Sequence, residues 1–184
     1  MESDSLLVIA TGAGQTMLLT EYLIELQSAV GRKTTVMLTA SAERFVTPES
    51  VGWFADRVLT HDAPGVNPVE LAMTAGAIVV LPATANTISS AALGLAATPA
   101  QTALLASPAP VLYFPQIKRH IWDKPVIKRH VAELRADGNT VIDPVETTTY
   151  QMWKRQEDIG FAMPGAEEAA KIVRDWLADR PAMP

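Results

Sequence analysis

Five short apolar runs recur along the chain at roughly thirty-residue spacing, with helical patterns between them, and this alternation constrains the fold more than any other feature. The runs cover residues 6–10, 34–38, 78–81, 111–114 and 140–142. The run at 78–81 is apolar at every position, as expected for a parallel strand covered on both faces. A helix is expected from about residue 16, with Leu19, Tyr22, Leu23, Leu26 and Val30 on one face and Gly31 as its stop. Thr47-Pro48 opens a second helix toward Asp56, threonine capping and proline at the first helical position. Further helices are expected at 87–96, at 125–137 before Gly138, and at 166–178, the last burying Ile172, Val173, Trp176 and Leu177. Alternating strands and helices imply right-handed crossovers and a doubly wound parallel α/β sheet, Rossmann-like, within one domain spanning 1–184. Ligands of such sheets sit at the carboxyl ends of the strands. The loops to read are therefore 11–14, 39–45, 82–87 and 115–122. Residues 145–164 show no clear periodicity and read as a long loop, a candidate lid or clamp.

Composition narrows the chemistry. Apolar residues make up 48% and charged residues 19%, a globular balance. There is no cysteine, which excludes disulfides, thiolate metal sites and a thiol nucleophile, and no metal site is expected. A net charge of −5 argues against a nucleic-acid partner. Met1–Ser5 carries two acids before an apolar run of five residues, which is neither a signal peptide nor a membrane span, so the expected compartment is the cytoplasm.

The first loop, Thr11-Gly12-Ala13-Gly14, is a glycine-bearing turn that offers backbone N–H groups at a helix start. A dinucleotide fingerprint would need a small residue where Met17 stands and an acid where Thr39 ends the second strand, so a nicotinamide dinucleotide is disfavoured. Thr39-Ala40-Ser41 adds two hydroxyls, enough with the first loop to hold one phosphate. In Pro82-Ala83-Thr84-Ala85-Asn86-Thr87 small side chains allow a flat ligand close to the backbone, while Asn86 and Thr87 supply donors and acceptors. Each of these residues is also an ordinary turn or cap residue; their concentration is what favours a site.

Here the sequence resembles a known family, the homo-oligomeric flavin-containing cysteine decarboxylases. The family includes phosphopantothenoylcysteine decarboxylase and the peptidyl-cysteine decarboxylases of lantibiotic biosynthesis. Leu81-Pro82-Ala83-Thr84-Ala85-Asn86-Thr87 is similar to its P-A-[ST]-A-N-T motif. The residues Thr39, Ser41, Ala42, Phe45, Val46 and Pro48 resemble its second-strand signature, and Pro115-Gln116-Ile117-Lys118-Arg119-His120-Ile121-Trp122 its P-x-M-N-x-x-M-W motif. Gly160-Phe161-Ala162-Met163-Pro164 resembles the segment after the substrate clamp. The resemblance implies flavin mononucleotide (FMN) at a subunit boundary of a trimer, or of a dodecamer built of trimers. It implies that Gly12, Ala13, Gly14, Thr39, Ala40, Ser41, Phe45, Thr84, Ala85, Asn86, Thr87 and Gln116 line the cofactor, and that Ile117, Lys118 and Trp122 meet the substrate.

Two positions depart from that pattern. The family's catalytic histidine lies fourteen residues before the motif proline, and here that position is Pro68, which has no proton to exchange. His61, otherwise a solvated surface histidine, and His120 are the candidate bases, with flavin nitrogen or water as the alternative acceptors or else a weak or inactive subunit. Asn67 is a candidate for orienting substrate. Lys118 stands where the family has an asparagine on the substrate carboxylate. A lysine there would either pair with that group more strongly than an amide does, at the risk of slowing loss of carbon dioxide by stabilising the ground state, or be a solvated turn residue; the motif register favours the site. Between residues 118 and 130 five basic residues face one acid, leaving −9 on the remainder; this is either a solvated helix face or a patch that steers an acidic peptide.

The resemblance favours an oxidative product. Family members in coenzyme A biosynthesis use a clamp cysteine to return the enethiol to a saturated thiol, and this chain has none. The expected function is FMN-dependent oxidative decarboxylation of the C-terminal cysteine of a ribosomally made precursor peptide. The product would be an aminoenethiol for aminovinyl-cysteine formation. The alternatives are phosphopantothenoylcysteine decarboxylation and a non-catalytic flavin-binding regulatory subunit.

Overall fold

The structure is a computed structural model that describes residues 5–151 and 153–179. The acidic residues at 2 and 4 that enter the reading of the N-terminus lie outside the described residues. Six strands form one parallel sheet: β1 Ser5–Ala10, β2 Lys33–Leu38, β3 Arg57–Leu59, β4 Ala77–Ala83, β5 Leu112–Pro115 and β6 Thr140–Val141. Their order is β3-β2-β1-β4-β5-β6, the doubly wound Rossmann arrangement. Chain order reverses between β1 and β4, and there the loops diverge to open a crevice.

Alternation along each strand sends successive side chains to opposite layers. Leu6, Val8 and Ala10 of β1 join Val79 and Leu81 of β4 in one core, while Leu7 and Ile9 join Ile78 and Val80 in the other. Helices α1 (Leu19–Val30), α2 (Pro48–Gly52) and α8 (Ala166–Ala178) cover the first face. Helices α3 (Pro68–Thr74), α4 (Ala85–Ala92), α5 (Pro99–Leu105) and α7 (Pro125–Ala136) cover the second. Each fully buried Leu, Ile or Val contributes about 1.5–3 kcal/mol by leaving water. Helix α1 stops at Gly31, whose φ of 65° is the left-handed cap that a side chain disfavours.

The five expected strands are present, with ends differing by a residue or two. Helix α2 ends at Gly52, short of the expected reach toward Asp56, because the chain turns at 53–56 to enter the edge strand β3 at Arg57. Helix α4 begins two residues ahead of the 87–96 reading, since Thr84 is its cap. Helices α3 and α5, together with the single turn α6 (Arg119–Trp122), are additions to the sequence reading.

The 145–164 loop reading is corrected: most of it is an antiparallel hairpin of β7 (Val145–Gln151) and β8 (Gln156–Ala162). Both faces of β7 are largely exposed, so its β-branched residues alternate with nothing apolar to reveal the period. Arg119 fastens the hairpin to the body, 3.0 Å from Glu146 of β7 and with its guanidinium 5.4 Å from the Phe161 ring of β8. Beyond β8, the Met163 N–H donates to Gln15 Oε1 (3.0 Å) and the Tyr22 hydroxyl donates to the Pro164 carbonyl (2.8 Å). Burial pushes that phenol up to about 12. No helix among the described residues is long and apolar enough to cross a membrane.

Candidate functional site

The carboxyl ends of β1, β2 and β4 are stapled together by threonines. Thr11 Oγ1 donates to the Pro82 carbonyl (2.7 Å) and accepts from the Thr84 N–H (3.1 Å), bridging the switch point. Thr39 Oγ1 donates to the Ala10 carbonyl at 3.2 Å. Thr16 Oγ1 donates to the Thr11 carbonyl (2.7 Å) and accepts from the Ala13 N–H (3.0 Å), which fixes the first turn. Gly12 is where these turns come closest: a Cβ there would sit 2.4 Å from Ser41 Cβ and 2.7 Å from the Ser41 carbonyl oxygen. A residue without a side chain is therefore required at 12 by close approach, not by its backbone angles.

These turns enclose a cavity of about 450 Å³. Ile9, Met37, Leu38, Ala100 and Leu104 give it apolar walls. Its polar lining is Thr11, Thr39, Ser41, His61, Thr84, Asn86 and Thr87, with Thr98 and Gln101 from the start of α5. Thr84 Oγ1 accepts from the Thr87 N–H (3.2 Å) and lies 2.9 Å from Thr87 Oγ1, so both hydroxyls are positioned by the cap of α4. Ser41 and Asn86 make no side-chain hydrogen bond among the described residues, which leaves both for a ligand. No lysine or arginine lines the cavity. An anion here would be held by hydroxyls, an amide and backbone N–H groups, and a flat ring by the apolar walls. That donor set fits a flavin carrying one phosphate.

Seven of the twelve residues expected around the cofactor line this cavity: Gly12, Thr39, Ala40, Ser41, Thr84, Asn86 and Thr87. Ala13, Gly14, Phe45, Ala85 and Gln116 are not among its lining residues. The Gln116 N–H donates to the Ala83 carbonyl (2.9 Å), so this residue ties the end of β5 to β4.

The substrate and base candidates separate sharply. Ile117 and Trp122, each 3% exposed, are buried in the second core and present almost no surface to a substrate in this chain. Lys118 is exposed at the start of α6. Asn67 Oδ1 accepts from the N–H groups of Val69 (3.0 Å) and Glu70 (3.4 Å): it caps α3, and Pro68 is that helix's first residue. His120 is exposed on α6, outside the lining. His61 does line the cavity. Its Nδ1 lies 2.9 Å from Glu43 Oε1, and its backbone N–H donates to the same oxygen at 2.8 Å. The hydrogen bond to Glu43 holds the imidazole above its ordinary pKa, outweighing the desolvation that lowers it, and the charges of Glu43 and Asp62 add to the rise.

Glu43, which holds His61, and the α5 residues Ala100, Gln101 and Leu104, which line the cavity, are contributors that the sequence reading does not single out. The signal for α5 is present: Thr98-Pro99 repeats the cap-and-proline pair of Thr47-Pro48, and Thr98 Oγ1 accepts from the Gln101 N–H.

A sequence profile of the family described as flavoprotein matches residues 1–178. The chain is 30% identical over 155 residues to mersacidin decarboxylase of Bacillus sp. (strain HIL-Y85/54728), covering 83% of this chain and 79% of that one. It is 34% identical over 122 residues to the coenzyme A biosynthesis bifunctional protein CoaBC of Bacillus subtilis (strain 168), which covers 63% of this chain but only 30% of that longer protein. A solved structure described as an FMN-dependent cysteine decarboxylase, TvaF from thioviridamide biosynthesis, superposes with a TM-score of 0.71 at 31% identity. That match covers 76% of this chain and 90% of TvaF.

Proposed function

This chain belongs to the flavoprotein family, and from that premise we propose that it binds FMN and decarboxylates, oxidatively, the C-terminal cysteine of a ribosomally made precursor peptide. The observation that carries the reading is the cavity at the β1/β4 switch point: apolar walls for a tricyclic ring, and neutral donors for one phosphate. Bound flavin supplies a two-electron acceptor, so no protein nucleophile is needed and a cysteine-free chain is competent. The similarity to mersacidin decarboxylase and to TvaF supports a peptide substrate.

The chain's own residues bind and orient. Ser41, Asn86 and the first turn would hold the cofactor, with Ala100 and Leu104 against the ring. Lys118 would pair with the peptide's terminal carboxylate, and the hairpin 145–162 would close over the bound peptide as a clamp. We place the protein in the cytoplasm, where precursor peptides are made, and as a homo-oligomer in which a second copy completes the cleft. Phe45 and Gln116, outside the cavity of a single chain, are the cofactor residues assigned to that boundary.

Phosphopantothenoylcysteine decarboxylation is the second reading, favoured by the 34% identity to part of CoaBC. Against it stands the absence of any cysteine to return an enethiol to a saturated thiol. One experiment separates them. The FMN-loaded protein is incubated with a peptide ending in cysteine and, separately, with phosphopantothenoylcysteine, and the products are weighed by mass spectrometry. A peptide product lighter by carbon dioxide and two hydrogens supports the proposal. Reaction of phosphopantothenoylcysteine alone, losing only carbon dioxide, selects the second reading, and reaction of neither selects a regulatory flavin-binding subunit.

A further inference from the structure

His61 is the only ionisable side chain among the residues lining the cavity. Its environment is built, not incidental. Glu43 stands on the short 3-10 turn Ala42–Arg44, whose first N–H groups, those of Ala42 and Glu43, both donate to the Thr39 carbonyl (2.8 and 3.1 Å). The turn that bears the carboxylate is thus anchored to Thr39, which itself lines the cavity. Glu43 Oε1 then receives both the backbone N–H and Nδ1 of His61, so one oxygen fixes the loop and the ring together. An ionised carboxylate can only accept, so Nδ1 must carry the hydrogen; in the neutral imidazole Nε2 is the unprotonated, basic nitrogen.

We infer that His61, oriented by Glu43, takes the thiol proton of the substrate's terminal cysteine, the role that Pro68 is unable to fill. The inference rests on the decarboxylase reading above. In this step the S–H bond breaks, the Nε2–H bond forms, and the electron pair stays on sulfur as the thiolate. The proton then passes to solvent, which reaches the half-exposed ring (45%). Glu43 is the positioning residue: it sets the tautomer and stabilises the imidazolium that forms. The charged groups on His61 are Glu43 from the 3-10 turn and Asp62 from its own loop, with Asp62 Oδ1 3.9 Å from Nδ1. On the opposite wall, the residues of α5 that line the cavity carry no charge. Both carboxylates raise the imidazole pKa. The base form therefore prevails above that raised pKa, and the rate rises with pH through it.

The test uses the FMN-loaded full chain with a cysteine-ending peptide, comparing wild type, His61→Asn and Glu43→Gln. Three quantities are read: the pH profile of kcat/KM, the NMR titration of the His61 ring, and the FMN dissociation constant. Glu43→Gln is expected to move the acid limb to lower pH in step with the ring titration. His61→Asn is expected to abolish that limb and to lower the plateau by about 10²-fold or more. Both variants should bind FMN within about twofold of wild type. An acid limb surviving in His61→Asn, or moving in Glu43→Gln while the ring titration stays, overturns the inference. So does an FMN affinity that falls with His61→Asn, since His61 would then be holding the cofactor. A wild-type protein that binds FMN but leaves cysteine peptides unchanged sinks the function reading itself, which is a distinguishable failure.

Discussion

Replacing Gly12 by alanine tests whether the closeness of the first two strand-end turns shapes the cofactor cavity. The added Cβ would lie 2.4 Å from Ser41 Cβ, 2.7 Å from the Ser41 carbonyl oxygen and 2.8 Å from its carbonyl carbon. Two of those atoms are backbone, so no rotamer change relieves the clash. Ordinary carbon–carbon contact begins near 3.5 Å, and the turns must part by about 1 Å. Overpacking of this kind costs about 1–3 kcal/mol. At about 2–4 °C per kcal/mol for a chain of this length, the Tm should fall by about 2–12 °C. The displaced segment carries Thr39, Ala40 and Ser41, all on the cavity wall, so FMN affinity should drop by more stability-independent means as well, about tenfold or beyond. Differential scanning fluorimetry of the apoprotein and fluorescence titration with FMN measure the two effects separately. A variant within 1 °C of wild type that binds FMN with unchanged affinity would refute the argument, because it would show that the turns have slack.

Three further outcomes are expected. Lys118→Asn should weaken peptides with a free terminal carboxylate by up to about fivefold, the range of an exposed ion pair, and leave amidated peptides unaffected in a calorimetric titration. Arg119→Ala removes both the 3.0 Å contact to Glu146 and the stacking on Phe161, together about 1 kcal/mol. Hydrogen exchange should then quicken in β7 and β8 while FMN affinity stays. Tyr22→Phe strands the buried Pro164 carbonyl, costing about 1–3 kcal/mol and lowering Tm accordingly. It should also abolish the phenol titration near pH 12.

The strands of the parallel sheet were legible because burial on both faces leaves unbroken apolar runs, as in residues 78–81. Edge strand β3 was not, since its short segment opens on the exposed Arg57 and only Leu59 is buried, which leaves no apolar run. The cofactor loops could be read from the concentration of Gly12, Thr39, Ser41 and Asn86 at strand ends, although each alone is an ordinary turn or cap residue. Trp122 and Ile117 show the opposite case. Position in a motif suggests contact with substrate, whereas their apolar surface is satisfied inside the second core. Helices α3 and α5 carried a legible start, for Asn67-Pro68 and Thr98-Pro99 have the same cap-and-proline form as Thr47-Pro48, from which α2 was read. The partnership of Glu43 with His61 joins residues eighteen positions apart across two loops, and no local pattern encodes it.

The start of α3 carries a consequence for how such a protein diversifies. Asparagine at the cap already satisfies the first free N–H groups, and the position after it needs no hydrogen of its own, so proline suits it as well as any ring-bearing residue would. Proline also trims the freedom of the unfolded chain. A lineage can therefore surrender an imidazole at residue 68 with its architecture unharmed, even slightly firmed. Selection for foldedness does not oppose the exchange at that site, and only selection for turnover does.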